Sequence, residues 1–461
     1  MTDEIIQYVN EYKEMFFRLS DAIYENPETK YEEHFACDSL VQALQELGFE
    51  VEKSIGGIET AFVASFRADK QCSEEKGCCI AFLAEYDALP GFNQSPGALR
   101  QESYENANGT TNGHGCGHNL LGCGAALAFV VAAKYWSKHH LKGELRLYGC
   151  PAEEGGAGKS RLVKAGCFAG VQCAFTWHPA DYNCITSGSS LANCQVQFSF
   201  SGKSAHAAIA PHMGRSALDA VELMNVGCNY LREHIVSDAR MHYAYQNAGG
   251  ILPGAVPAEA SVLYQIRAPE IKDAEEITHR VIKVAEGAAL MTETAVTYEI
   301  KTQVANIKPD HELEKLLYTC MKEIPLPEYT EEEQQYALEL TRYNEENTLS
   351  DLLPRSKKIY GTSEEIERHM GDSLYSFVLP YLPDDEVHFY SSDVGDVSQI
   401  CPTAQFAGMT WVANTYEHTW VATSQGKSEI AHKGIAYAAG VLALAACKKN
   451  RFPREMQQAI K

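Results

Sequence analysis

Apolar residues recur at helical spacing from the start of the chain: Ile5, Tyr8, Val9, Tyr12, Met15, Phe16, Leu19 and Ile23 share one stripe, and Asn26-Pro27 ends it. This predicts a helix over 5–24. A second helix is expected over 32–47, closed by Gly48. Two short β-like runs, 60–66 and 79–83, follow with a charged turn over 68–76 between them. Residues 120–136 read as a buried helix, whereas 145–150 and 174–177 read as buried strands. Strands alternating with helices predict an α/β fold, which builds its sites at strand ends.

Beyond Ile185 the period changes. Residues 191–200 alternate apolar and polar, 216–233 are amphipathic, 259–268 alternate again, 274–290 are helical and 296–302 form a last strand, with a further strand near 243–251. This β-α-β-α-β block predicts a small α+β domain inserted into the first one. The insert is expected over 188–303, leaving 1–187 and 304–461 as a discontinuous outer domain. In the returning segment the pattern predicts a helix over 311–322, an acidic solvated face over 331–347, a polar turn over 391–397, a strand over 404–412 and a closing helix over 434–446.

Composition narrows the class. The 461 residues are 45% hydrophobic and 22% charged, as in ordinary globular proteins with more than one core. A formal net charge of −22 argues against nucleic acid and anionic membrane as partners, because both require basic patches. No uninterrupted apolar run reaches the roughly 18 to 20 residues of a membrane span, and the first residues are acidic and polar where a secretory leader is basic and then apolar. Fifteen cysteines, an odd number in a chain read as leaderless, predict free thiols and a cytoplasmic location.

The chemistry concentrates in Gly113-His114-Gly115-Cys116-Gly117-His118-Asn119. A thiolate and an imidazole two residues apart on a glycine-rich loop suit Zn²⁺ or a similar divalent ion, but such a site needs further ligands. Other candidates stand at strand and loop ends. Glu85 and Asp87, at i and i+2, point to one side. Adjacent Glu153 and Glu154 point to opposite faces, so one can bind an ion while the other holds a water. His178 ends a third strand, and His418 lies just past a fourth. His432, near a helix start, reads as a capping or packing histidine. Singly, Asp87 reads as a turn cap, Glu85 as a surface acid and Glu153-Glu154 as a solvated turn. Their repetition at successive strand ends favours a site. Two rival readings stand beside it. A binding or regulatory protein with a structural metal would have no use for a spare carboxylate such as Glu153. A redox enzyme built on Cys116 would need a nearby C-x-x-C partner, which the sequence lacks.

In order along the chain, Ala84-Glu85-Tyr86-Asp87-Ala88-Leu89-Pro90, His114-Gly115-Cys116-Gly117-His118-Asn119, Pro151-Ala152-Glu153-Glu154-Gly155, Trp177-His178, Gly202-Lys203-Ser204-Ala205-His206-Ala207, Asp393-Val394-Gly395-Asp396-Val397-Ser398 and His418-Thr419-Trp420 resemble the M20 metallopeptidases and their amidohydrolase branch. The resemblance implies a zinc-exopeptidase-like α/β catalytic domain with a mixed sheet and flanking helices. A smaller α+β, ferredoxin-like lid, used for homodimerisation, would interrupt it. It further implies Cys116, His118, Glu154, His178 and His418 as ligands of one or two divalent ions (Zn²⁺ or Mn²⁺), Glu153 as general base, Asp87 as the acid that orients a ligand, and His206 as the group reaching the scissile carbonyl. The implied substrate is a small-molecule amide with a free carboxylate, such as an N-acyl amino acid, a dipeptide or an aminobenzoyl-glutamate-like compound. Arg215 and Arg267 are candidates for that carboxylate, and Asn119 is a further substrate-binding candidate. Two positions depart from the pattern. Glu85 stands where aminopeptidase branches place a metal-binding histidine, and Gly254 stands where relatives carry asparagine in a Gly-Gly-x-x-Pro-Asn segment.

Overall fold

The computed structural model describes residues 1–67, 78–344 and 348–451. The charged turn expected over 68–76, and residues 345–347 of the acidic stretch, lie outside the described residues. By internal contacts the chain divides into two units, one made of 1–188, 308–385 and 400–461, the other of 189–307 and 386–399.

The first unit is built on a seven-stranded mixed sheet in the spatial order Glu50–Lys53, Phe62–Arg67, Glu144–Gly149, Cys79–Ala84, Cys173–Ala180, Thr403–Met409, Cys184–Thr186. Cys79–Ala84 lies at the centre, parallel to both neighbours, and is buried along its whole length. That explains its unbroken apolar sequence, since parallel strands covered on both faces do not alternate. The first strand, Glu50–Lys53, escaped the sequence reading because it is polar and mostly exposed. Helix His118–Lys138 packs against helices Thr2–Glu25 and Glu429–Arg451 as well as the sheet. Two stretches, His118–Lys138 and Glu429–Asn450, are long and apolar enough to cross a membrane, but 89% of each apolar window is buried inside the structure. They are core helices here. Gly122 permits this packing: a Cβ there would sit 2.5 Å from the Glu85 carbonyl oxygen, so the helix approaches the central strand's exit only without a side chain.

The second unit is a four-stranded antiparallel sheet in the order Ala295–Val304, Ala192–Ser201, Glu259–Ala268, Arg240–Asn247, packed against helices Ala217–Leu231 and Ile271–Thr292. Along Glu259–Ala268, residues Ala260, Val262, Tyr264, Ile266 and Ala268 are buried, the period-two pattern of a sheet covered on one face. Segment 386–399, expected in the outer domain, groups with this unit instead. Val387–His388 pairs with Ser189–Ser190, and Asp396 Oδ2 accepts the Ala305 N–H at 3.0 Å. Of the polar turn expected over 391–397, the part from Val394 onward is instead the start of a helix, Val394–Ile400. Ser392 Oγ accepts the Val394 N–H at its start, a local cap that the turn-like composition conceals.

Candidate metal centre

Each candidate ligand of the first unit is delivered by a strand exit or a tight loop. The chain leaves Cys79–Ala84 through Glu85-Tyr86-Asp87, and both acids are buried, 3% and 1% exposed. Gly117 caps helix His118–Lys138 in a left-handed conformation (φ 71°), and a Cβ there would press on Pro179 and Trp411 at 3.0 Å. This sharp turn puts Cys116 and His118 at the helix start, under the exit of strand Cys173–Ala180, which carries His178.

Fully buried His118 is the hub. Its Nδ1 lies 2.9 Å from Asp87 Oδ1, while its Nε2 lies 3.3 Å from Glu85 Oε2 without forming a hydrogen bond. Asp87 also accepts the Glu154 backbone N–H on its other oxygen at 2.9 Å, so one carboxylate fixes two candidate ligands. Cys116 Sγ is 3.5 Å from His178 Nε2, and His178 Nδ1 is bonded to the Pro179 carbonyl at 2.8 Å, which leaves Nε2 as the nitrogen that could hold an ion. His418, held in a left-handed conformation (φ 58°) with its N–H donated to the Gly115 carbonyl, places Nε2 3.2 Å from Glu154 Oε1.

Three sets of ligand atoms fall within 4.8 Å of one another: Cys116, His118 and His178; Cys116, Glu154 and His418; and Glu85, His118 and Glu153. Cys116 belongs to the first two, so those five side chains accommodate one ion or two. The electrostatics ask for a cation. Burial, then Glu154, Glu417 and Glu153, push the Cys116 thiol well above its ordinary range. His118 is held well above its ordinary range because Asp87 and Glu85 outweigh its burial. A buried imidazole nitrogen without a hydrogen bond, beside a sulfur and a second imidazole, fits a divalent ion of borderline softness.

Asn119 is fully buried and donates its amide to Ser20 Oγ (3.0 Å) and the Gly426 carbonyl (2.9 Å). The amide nitrogen thus ties helix His118–Lys138 to helix Thr2–Glu25 and to the turn at Gly426, while Oδ1 is buried without a hydrogen bond. His206, Arg215 and Arg267 belong to the second unit. His206 is exposed, and its Nδ1 accepts the Ala208 and Ile209 N–H groups at 3.2 Å, so the neutral ring carries its proton on Nε2. Arg215 is bonded to Glu293 (2.9 Å) and to the Gly214 carbonyl (2.7 Å), and Arg267 lies 2.8 Å from the Gln265 amide. His432 is a packing residue, stacked on Phe17 at 4.7 Å and bonded to Asp21 at 2.9 Å.

Two residues of the site escaped the sequence reading, Lys159 and Glu33. Lys159, fully buried, pairs with Glu85 at 2.6 Å; the only sequence signal was the unexpected acid at position 85. Glu33, also fully buried, accepts the Ala152 N–H next to Glu153, the Tyr31 N–H (both 2.9 Å) and the Thr60 hydroxyl (3.1 Å). Burial, then Asp87, push its carboxyl up to about 8. An acid raised on folding holds its proton in the native state while the unfolded chain releases it. The contribution of Glu33 to stability therefore falls as pH rises from about 4.5 to about 8, by about 1.4 kcal/mol per unit. Glu33→Gln, which copies the protonated acid, is expected to remove that slope. Urea midpoints across this range should converge for the two proteins at low pH and favour the variant at pH 8; parallel curves would refute the titration.

The Peptidase family M20/M25/M40 model matches residues 81–371. The chain is 41% identical over 438 residues to a p-aminobenzoyl-glutamate hydrolase subunit of Escherichia coli K12, covering 94% of this chain and 88% of that one. It is 31% identical over 298 residues to the mouse Xaa-Arg dipeptidase, covering 63% and 64%. Its fold matches a crystal structure from Bacillus subtilis, described as a dinuclear metal binding peptidase from the M20 family, with a TM-score of 0.54 and 15% identity over 94% of this chain and 99% of that one. With matching motifs, fold and relatives, this chain belongs to peptidase family M20/M25/M40 and is a hydrolase acting on amide bonds.

Proposed function

We propose that the protein is a metal-dependent amidohydrolase that splits the amide of an N-acyl amino acid, a dipeptide or an aminobenzoyl-glutamate-like compound, with Glu153 as general base. The observation that carries the reading is His118: Asp87 fixes its tautomer through Nδ1, and the buried Nε2 makes no hydrogen bond. Cys116, His118, Glu154, His178 and His418 would hold one or two Zn²⁺ or Mn²⁺ ions. Such an ion supplies Lewis acidity toward an amide carbonyl and lowers the pKa of a water molecule. The chain's own groups do the rest. Glu153, next to Glu154 on the loop that Glu33 anchors, takes the proton of the attacking water and passes it to the leaving nitrogen. His206 has an Nε2–H to donate to the oxyanion, the role its motif implies. Arg215 and Arg267 are proposed to receive the substrate carboxylate, Arg215 by exchanging Glu293 for it.

The second unit is proposed as a homodimerisation lid. Leu223, Val226 and Tyr230 recur at i, i+3 and i+7 on helix Ala217–Leu231 and are exposed, which suits a helix face covered by a second copy. Light scattering at twice the chain mass supports this; a monomer, or assembly only with a different chain, which the naming of the E. coli relative as one subunit of a hydrolase allows, refutes it. The described cysteines are all free thiols, which supports a reducing, cytoplasmic location.

The test of function is turnover by metal-loaded protein on a panel of p-aminobenzoyl-glutamate, N-acyl amino acids and dipeptides. At least one should be split, and a chelator should abolish the reaction. Full turnover after the metal has been stripped would sink the reading.

A further inference from the structure

The Glu85–Lys159 pair has no part in the five-residue set of Cys116, His118, Glu154, His178 and His418, yet Glu85 lies against His118 of that set. Lys159 is fully buried and Glu85 is 3% exposed, with Nζ and Oε1 2.6 Å apart. Lysine is almost never fully buried unless paired, so this ammonium is placed deliberately in the fold. It comes from the first turn of helix Gly158–Lys164, where Gly158 packs so tightly on the Pro151 carbonyl that a Cβ would sit 1.9 Å from its oxygen. The other Glu85 oxygen lies 3.3 Å from His118 Nε2. Glu85, His118 and Glu153 have ligand atoms within 4.8 Å of one another; His118 Nε2 has a single lone pair, assigned above to the metal centre, so a further ion in this corner would be held by the two carboxylates with water completing its shell.

An ion in that corner would take Glu153 as a ligand and occupy the lone pair that must accept a proton. An ammonium offers a positive charge to Glu85 with donors only and no open coordination position. We propose that Lys159 is a built-in cation that occupies Glu85 and keeps the Glu85, His118 and Glu153 corner free of metal, so that Glu153 remains a base. Lys159 is thus a positioning residue acting through Glu85. The idea rests on the metal-dependent reading of the preceding section.

The measurement is metal content, by mass spectrometry of protein equilibrated with Mn²⁺ or Zn²⁺ and desalted, read as ions per chain. Wild-type protein that retains no ion sinks the metal-dependent reading itself. Given a wild-type count, Lys159→Met is expected to bind one additional ion per chain and to lose turnover. The double variant Glu85→Gln/Lys159→Met should return to the wild-type count, and Lys159→Arg should keep it. An unchanged count in folded Lys159→Met overturns the proposal and leaves the metal-dependent reading standing. Should Lys159→Met fail to fold, Glu85→Gln decides: it differs in one atom, keeps an oxygen for Lys159, and must leave the wild-type count unchanged. Loss of an ion in Glu85→Gln shows Glu85 to be a ligand and equally overturns it.

Discussion

Glu153→Gln is expected to lower kcat by roughly 10²- to 10⁴-fold, the usual worth of a general base, while fold and metal content stay as in the wild type. Glutamine keeps the volume of the half-buried side chain but cannot accept a proton at neutral pH. The loop itself is held independently, by Glu33 on the Ala152 N–H and by Asp87 on the Glu154 N–H. Neither tie involves the Glu153 side chain. Nor does Glu153 appear in the two ligand groups that share Cys116. Three readings of one variant then decide its role: kcat, ions per chain, and melting temperature. Unchanged kcat would refute the base assignment. A lost ion would make Glu153 a ligand, and the proton would need another acceptor. Glu154→Gln is the contrast, because Glu154 touches His418 at 3.2 Å and its loss should reduce metal affinity as well as rate.

Much of this arrangement was legible in the sequence, for a physical reason. Cys116 and His118 flank a glycine turn, Glu154 follows the exit of strand Glu144–Gly149, His178 lies near the end of Cys173–Ala180 and His418 in the loop after Thr403–Met409, and parallel strands deliver their exits to one edge of a sheet. The position of the site at strand exits therefore follows from the alternation of apolar runs. Residues whose surroundings come from distant segments were less accessible. Lys159 lies in a short stretch, Gly-Lys-Ser-Arg, that reads as a solvated helix start; only the packing of that helix beside the central strand's exit buries it against Glu85, 74 positions earlier. Glu33 looks like a surface acid next to Glu32 and His34, and its burial depends on the loop at Ala152, 119 positions later. Asn119 stands beside His118, but adjacent positions on a helix face different ways, and its amide nitrogen turns toward Ser20, a partner 99 positions earlier. The helix Val394–Ile400 was hidden because seven residues with a glycine carry too little apolar period to register.

Asp87→Asn is the second large effect expected. Asp87 is 1% exposed and has a separate donor on each oxygen, the His118 ring N–H on Oδ1 and the Glu154 backbone N–H on Oδ2, both at 2.9 Å. A carboxylate satisfies two donors, whereas an amide has one acceptor and turns its NH₂ toward the other. If the amide oxygen stays with His118, the NH₂ faces the Glu154 N–H and the loop carrying Glu153 and Glu154 must move. If the amide flips, the NH₂ faces His118 and favours the tautomer with its proton on Nε2, the nitrogen assigned to the metal. Neither orientation preserves both ligands, so the isosteric change should act as a strong one. Metal affinity is expected to fall by roughly 10- to 100-fold, the usual cost of losing a partner that orients a ligand, and turnover at limiting metal should fall with it. Chelator competition gives the affinity, and turnover at saturating metal separates the two orientations. Recovery at high metal concentration places the damage on His118, while a persistent defect places it on the Glu153 loop. Wild-type affinity and turnover in Asp87→Asn would show that the carboxylate orients neither residue, and the assignment of His118 as the hub would fall with it.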